Sequence, residues 1–331
     1  MSVISPGISV VICCYNSSAR LPETLKHLAM QIVPENILWE IILINNASTD
    51  NTTKVAESEW KKYDHPSEKF KIFDEEKAGL SYARERGARE SIYKYLIFCD
   101  DDNWLDCNYL FNSYQFMENN PKIGALGGQS FGVTLDNELP EWFEKVKNGF
   151  AVGSQSQIEG DVSDKCTLWG AGLVTRTEIF LDCFNTEFPA LVTDRLGGSL
   201  SSGGDDELCF RILLKGFRLY YSENLTFKHF IPPERLTKIY VDRLYKQDRS
   251  QVSEILNDYS LLYKLINYKI YIKPIFVVKT FLGYFSSKLL IRNSWSLSNV
   301  KALIFFYSKL DLGISTSSHF VYRFYSVNAK K

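Results

Sequence analysis

Between residues 8 and 99, short apolar runs rich in β-branched side chains alternate with segments of helical period, an order few folds accommodate. The spacing predicts strands over Ile8–Cys14, Trp39–Ile44, Phe70–Phe73 and Tyr95–Cys99, and helices over Leu21–Gln31, Asp50–Lys62 and Leu80–Ser91. Strands linked by helices at this pitch pair in parallel and are covered on both faces. Such sheets bind ligands beyond the carboxyl ends of their strands, so the polar residues after each apolar run are the candidates for chemistry.

Three strand ends carry such residues: Cys14-Tyr15-Asn16, then Asn45-Asn46-Ala47-Ser48-Thr49-Asp50, then Asp100-Asp101-Asp102-Asn103. Adjacent carboxylates repel unless a cation lies between them, so the triple Asp suits either a hard divalent ion with few protein ligands or a solvated turn that caps a helix. Asn16 and the 45–50 segment fit turns as well as ligand contacts. A second acidic group, Gly203-Gly204-Asp205-Asp206-Glu207, opens a predicted helix that Gly216 would close. Acids in a first helical turn complement the helix dipole, but two glycines before them also let the backbone approach a ligand and leave a carboxylate free to act as a base. His229, at the end of another apolar run, is either a core histidine or a metal or phosphate contact. Most of the charges at Arg84, Arg86 and Arg89 are expected in solvent. Beyond Gly124 the pattern turns irregular and Gly-rich, reading as a mixed extension of the sheet with loops over the crevice.

Net charge is −1, which argues against a general nucleic-acid binder, yet it hides a division. Residues 259–331 hold eleven Lys or Arg against one acid, net +10, which leaves −11 on residues 1–258. Sixteen aromatics interleave with those basic residues, and the runs 275–285 and 302–307 suit an interfacial helix on an anionic membrane surface, or a helical subdomain packed on the protein or on a second copy. No run of about 18 apolar residues lacks a charge, and no basic segment precedes the first apolar stretch. The seven cysteines form no C-x-x-C pair, so a reducing cytoplasm, with peripheral attachment to the inner face of the plasma membrane, is the expected location.

Taken in order, Val10-Val11-Ile12-Cys13-Cys14-Tyr15-Asn16, Glu40 to Asp50, Gly79-Leu80-Ser81-Tyr82-Ala83-Arg84, Asp100-Asp101-Asp102, Trp169-Gly170-Ala171-Gly172 and Gly204-Asp205-Asp206-Glu207-Leu208 resemble the family 2 glycosyltransferases over roughly residues 7–232. The resemblance implies a GT-A fold: an α/β, Rossmann-like, mostly parallel mixed sheet flanked by helices. Residues 1–232 would be the catalytic domain and 233–331 a helical, basic, aromatic extension. It further implies an inverting, metal-dependent transfer from a nucleotide diphosphate-sugar to a glycan or lipid-linked glycan, as in surface polysaccharide synthesis. The donor would lie on Cys14, Tyr15, Asn16, Asn45, Ser48, Gly79, Arg84, Asp100 and Asp101, with Mg²⁺ or Mn²⁺ on Asp102 and His229. Asp205 would be the base, and Trp142, Trp169, Gly170 and Asp206 would face the acceptor. Where the family commonly has Asp to accept from a uracil N3–H, this chain has Asn45, which weakens the expected preference for UDP-sugars. Where the family commonly has Glu, it has Gly204. Two other readings are a sugar-phosphate nucleotidyltransferase, disfavoured by Tyr15-Asn-Ser-Ser-Ala-Arg20 in place of a Gly-rich basic loop, and an inactive sugar-binding module.

Overall fold

The computed structural model describes residues 5–136, 138–192, 194–195, 200, 202–246, 250–267 and 316–328. The chain divides into two units, Met1–Ile212 with Phe217–Asp248, and Leu213–Gly216 with Arg249–Lys331. The first unit thus extends past residue 232.

Its first half is the predicted alternation: β1 (Ser5–Cys14), α1 (Leu21–Ala29), β2 (Trp39–Asn46), α2 (Thr52–Trp60), β3 (Phe70–Glu75), α3 (Leu80–Glu90) and β4 (Tyr93–Asp100). The ends move for local reasons. The α1 helix stops short of Gln31 because that side chain accepts from the Leu110 N–H (3.1 Å) and donates to the Asp106 carbonyl (2.8 Å). The α2 helix begins after Asp50 because the Asp50 carboxylate closes an Asx turn there, accepting from the Thr52 N–H at 3.0 Å.

Strand order is β3-β2-β1-β4, all parallel, continuing through β8 (Val174–Arg176), β6 (Ile123–Val133), β9 (Arg218–Phe230) and β5 (Asn103–Leu105), with β7 (Gly160–Asp161) paired to β9. Beyond β4 the sheet is mixed: β8 runs antiparallel to β4 and β6, β5 antiparallel to β9, and β6 parallel to β9. Because β1 sits between β2 and β4, the connections leave it in opposite directions and open a crevice at its carboxyl end. Register brings the strand ends level there, Cys13 opposite Asp100 and Cys14 opposite Asn45.

Alternate residues of β1 serve opposite faces. Ile8, Val10, Ile12 and Cys14 join a core with Leu21, Leu25 and Leu28 of α1, Trp60 of α2, and Tyr109, Leu110 and Met117 of α4 (Tyr109–Asn119). On the other face Val11 packs against Gly87 of α3, and Phe98 lies 5.1 Å from Phe180 of α5 (Thr177–Cys183). A smaller cluster of Phe143, Phe150, Val152 and Ile231 is closed by Leu244 of α7 (Lys238–Tyr245), which is why the unit runs on past Pro232. The remaining helix of this unit, α6 (Gly204–Leu214), carries the second acidic group.

In the second unit α8 (Ser250–Asn267) packs on α9 (Thr316–Asn328), burying Tyr259, Leu262, Val321 and Phe324, and Ser317 donates to Asp258 at 2.9 Å. The runs 275–285 and 302–307, on which the membrane-surface expectation rests, lie outside the described residues. No described helix is long and apolar enough to cross a membrane.

Candidate active site

The crevice at the ends of β1, β2 and β4 is built from short polar side chains that first hold one another. Asn16 takes a positive φ of 50°, its N–H donates to the Ser48 hydroxyl (3.0 Å) and its Oδ1 accepts from the Thr49 N–H (2.8 Å). Asn16 and Ser48 therefore clip the loops after β1 and β2 together. Tyr15 beside them is 47% exposed. Cys14 is a correction to the sequence reading: its side chain points into the α1 core, so only its backbone reaches the crevice. Gly79, at the head of α3, donates its N–H to Asn46 Oδ1 at 2.8 Å.

Asn45 is set differently. Its Nδ2 donates to Asp74 Oδ1 of β3 at 2.8 Å, and its Oδ1 is buried without a hydrogen-bond partner. One of the two Nδ2 hydrogens is thus committed to Asp74, and the amide oxygen is turned away from solvent. Asp74 is a residue the sequence reading missed, since only the β2–β3 register places it opposite Asn45.

The three aspartates after β4 part company. Asp101 turns back to Arg20 (2.5 Å), and its carbonyl accepts from Thr24 of α1 (2.8 Å). It is an anchor for the turn rather than a crevice residue. Asp102 lies in a buried group: its Oδ1 is 3.4 Å from His229 Nε2, its Oδ2 3.0 Å from Arg235 Nη1. Antiparallel pairing of Asn103 with His229 across β5 and β9 makes that approach. Burial opposes the Asp102 charge, but His229 and Arg235 outweigh it and hold the carboxyl well below the usual range. Burial pushes Asp100 the other way, up to about 6, against the pull of Arg84.

Arg84 overturns the expectation of a solvated charge. It is 7% exposed, lies on the sheet side of α3 over the Phe98 ring (5.4 Å), and pairs with Asp205 and, at 3.6 Å, with Asp194. Asp205, at the start of α6, also accepts the Gly170 N–H on Oδ2 at 2.8 Å. Only glycine fits at 170, because a Cβ there would stand 2.6 Å from Asp205 Cγ. Trp169, half-buried, is held beside it by its N–H bond to Gln155 (2.6 Å). Asp206 bonds the Thr167 hydroxyl. Trp142 stands in the Glu141–Lys145 turn, edge-on to Phe143 at 6.2 Å and 38% exposed, on the second apolar cluster. Glu207 is fully buried and accepts from Arg211 and from the N–H groups of Leu191 and Val192.

Among the described residues no group of three or more His, Cys, Asp or Glu is arranged around a common metal position. Asp102 and His229, 3.4 Å apart, can nonetheless share one hard divalent ion, with other positions left to substrate oxygens. His229 Nδ1 is buried without a hydrogen-bond partner. Arg235 is the competing cation at Asp102, and the sequence offered no sign of it, since only the turn after β9 carries it back to the strand end.

Residues 9–168 match the family model for glycosyl transferase family 2. Poly-beta-1,6-N-acetyl-D-glucosamine synthase of Staphylococcus epidermidis is 33% identical over 123 residues, 37% of this chain and 28% of that protein. Cholesterol galactosyltransferase of Borreliella burgdorferi is 33% identical over 103 residues, 31% of this chain and 27% of that protein. The chain thus spans less than a third of the length of these curated relatives. Its fold is similar to S. aureus TarS 1-349 in complex with UDP-GlcNAc (TM-score 0.56, 16% identity, 97% of this chain and 89% of that one). It is also similar to GalNAc-T7 with UDP, GalNAc and Mn²⁺ (TM-score 0.53, 16% identity, 78% of this chain and 50% of that one). At these identities the likeness is one of fold: an α/β GT-A sheet flanked by helices.

Proposed function

The chain belongs to glycosyl transferase family 2 through residues 9–168, and from that premise we propose that it is an inverting transferase moving a sugar from a nucleoside diphosphate to a hydroxyl of a glycan or lipid-linked glycan. The observation that carries the reading is the place of Asp205. Its carboxylate, 32% exposed, is aimed by Arg84 and the Gly170 N–H into the same cluster of charges as Asp100, at the strand ends. A carboxylate has about four acceptor sites, so two bonds leave it able to take another. In the proposed step Asp205 removes the proton of the acceptor hydroxyl, whose oxygen attacks the anomeric carbon. The bond from that carbon to the phosphate oxygen breaks, and its electron pair leaves with the nucleoside diphosphate. A single displacement inverts the anomeric centre.

Asn45 at the end of β2, held through Nδ2 by Asp74 and with an unpartnered Oδ1, supports a uracil base whose N3–H that oxygen would accept once turned to the crevice. TarS and GalNAc-T7, the fold neighbours, were solved with UDP-GlcNAc and with UDP and Mn²⁺. Asp102 and His229 are the residues that would hold Mg²⁺ or Mn²⁺, which would supply positive charge to the diphosphate. Trp169, next to Gly170, supports an acceptor sugar stacked beside Asp205. The basic excess of residues 259–331 supports an acceptor met at an anionic membrane surface.

The test is product stereochemistry. NMR of the anomeric proton should report inversion, and Asp205→Asn should lose about 10²-fold or more in turnover. Retention of configuration, or normal turnover in D205N, would refute the assignment.

A further inference from the structure

Gly204 opens α6 in a helical backbone conformation that any residue can adopt, yet it has no side chain and its space is not empty. The Asp194 carboxylate fills it: a Cβ at 204 would stand 2.6 Å from Asp194 Oδ2, 3.2 Å from Cγ and 3.6 Å from Cβ. A side chain at 204 would therefore displace the Asp194 carboxylate from its present place. Asp194 is 6% exposed and lies 3.6 Å from Arg84 Nη1, the nitrogen that also bonds Asp205. One guanidinium thus serves two carboxyl groups, and the second comes from ten residues before the start of α6. Just before Asp194, the N–H groups of Leu191 and Val192 donate to Glu207 of α6. Burial and the neighbouring Asp205 push the Asp194 carboxyl up to about 7, against the pull of Arg84.

We propose that Asp194 is a positioning residue for Asp205, bringing from the segment before α6 the acidic side chain that position 204 lacks and sharing Arg84 with the base. Without that second carboxyl group, Arg84 would be left to Asp205 alone, and the three-group arrangement that fixes the direction of the base would be lost. Without its bulk, Arg84 and Asp205 would lose the wall that sets their direction. The inference rests on Asp205 acting as the base.

The geometry allows an exchange test. In Asp194→Ala the atoms that obstruct position 204 are removed down to a Cβ at ordinary contact distance, so Gly204→Glu can be introduced there. The full chain is assayed with MnCl₂ and a panel of UDP-, GDP- and dTDP-sugars for release of nucleoside diphosphate, with water taking the sugar in place of the acceptor hydroxyl, alongside D205N and thermal unfolding of each variant. D194N and D194A should each lose about 10²-fold in kcat with the donor KM unchanged. The double variant D194A/G204E should recover to within about tenfold of wild type, and G204E alone should be both inactive and less stable. Should D205N be inactive while D194N turns over normally, or D194A/G204E regain nothing over D194A, the role of Asp194 is overturned and the base assignment survives. Normal turnover in D205N, or no release by the wild type from any donor, removes the base assignment and this inference with it.

Discussion

Glutamate 207 is the most sharply testable residue of the α6 region, because nothing dilutes its interactions with water. Glu207 and Arg211, one helical turn apart, are both fully buried and 2.6 Å apart. Glu207 also accepts from the Leu191 N–H (3.1 Å) and Val192 N–H (2.9 Å), while Arg211 donates to the carbonyls of Cys183, Phe188 (2.8 Å) and Pro189 (2.7 Å). Glu207→Gln keeps the volume and one acceptor oxygen but leaves a buried guanidinium without its counter-charge, a change that costs about 3–5 kcal/mol. In a unit of this size, 1 kcal/mol moves the melting temperature by about 2–4 °C, so E207Q should melt on the order of 10 °C below wild type. Differential scanning calorimetry measures it. Removing the stranded cation as well, in E207Q/R211M, should leave the pair less destabilised than the two single changes together by about 2 kcal/mol. An E207Q melting within about 2 °C of wild type, or strict additivity in the double variant, would refute the account.

Three further outcomes follow from the crevice. Asn45→Asp, which installs the family's commoner residue, should weaken UDP binding about tenfold by calorimetry, because the new carboxylate faces Asp74 where the amide now bonds it at 2.8 Å. The exchange N45D/D74N should restore binding, and tighter binding by N45D alone would contradict the geometry. Asp194, held at about 7 when folded against about 3.9 unfolded, stays protonated in the folded chain over a range where the unfolded chain has lost the proton, so it lowers stability as pH rises from about 4 to 7. D194N should lose less melting temperature than wild type between those limits, and parallel curves would count against the shift. Finally, UDP with Mn²⁺ at 100 times the dissociation constant should stabilise the chain by about 2.7 kcal/mol, and Asp102→Ala should abolish the Mn²⁺-dependent part. An undiminished shift in D102A would place the ion elsewhere.

Much of this was legible in the chain because it depends on local period. Strands β1 to β4 and helices α1 to α3 follow from side-chain alternation and caps, and parallel pairing then puts Asn16, Asn45 and Asp100 at one edge, since every strand of that half ends on the same side. What each acid does there was not legible. Asp100, Asp101 and Asp102 are adjacent in sequence, yet they belong to three surroundings, one near Arg84, one on Arg20 and one between His229 and Arg235. Arg84 reads as one more helical charge until the Asp194 and Asp205 carboxylates are seen against it.

The amino-acid order by itself determined the alternating fold, the edge at which its polar strand ends gather and the family it resembles, because hydrophobic period and turn chemistry act over a few residues. Only the tertiary structure decided which carboxylate is paired, which is held up by burial and which stands beside a missing side chain. Those properties come from groups that the fold, not adjacency in the chain, brings within a few ångströms: Asp102 with Arg235, Asn45 with Asp74, and Asp194 with Gly204.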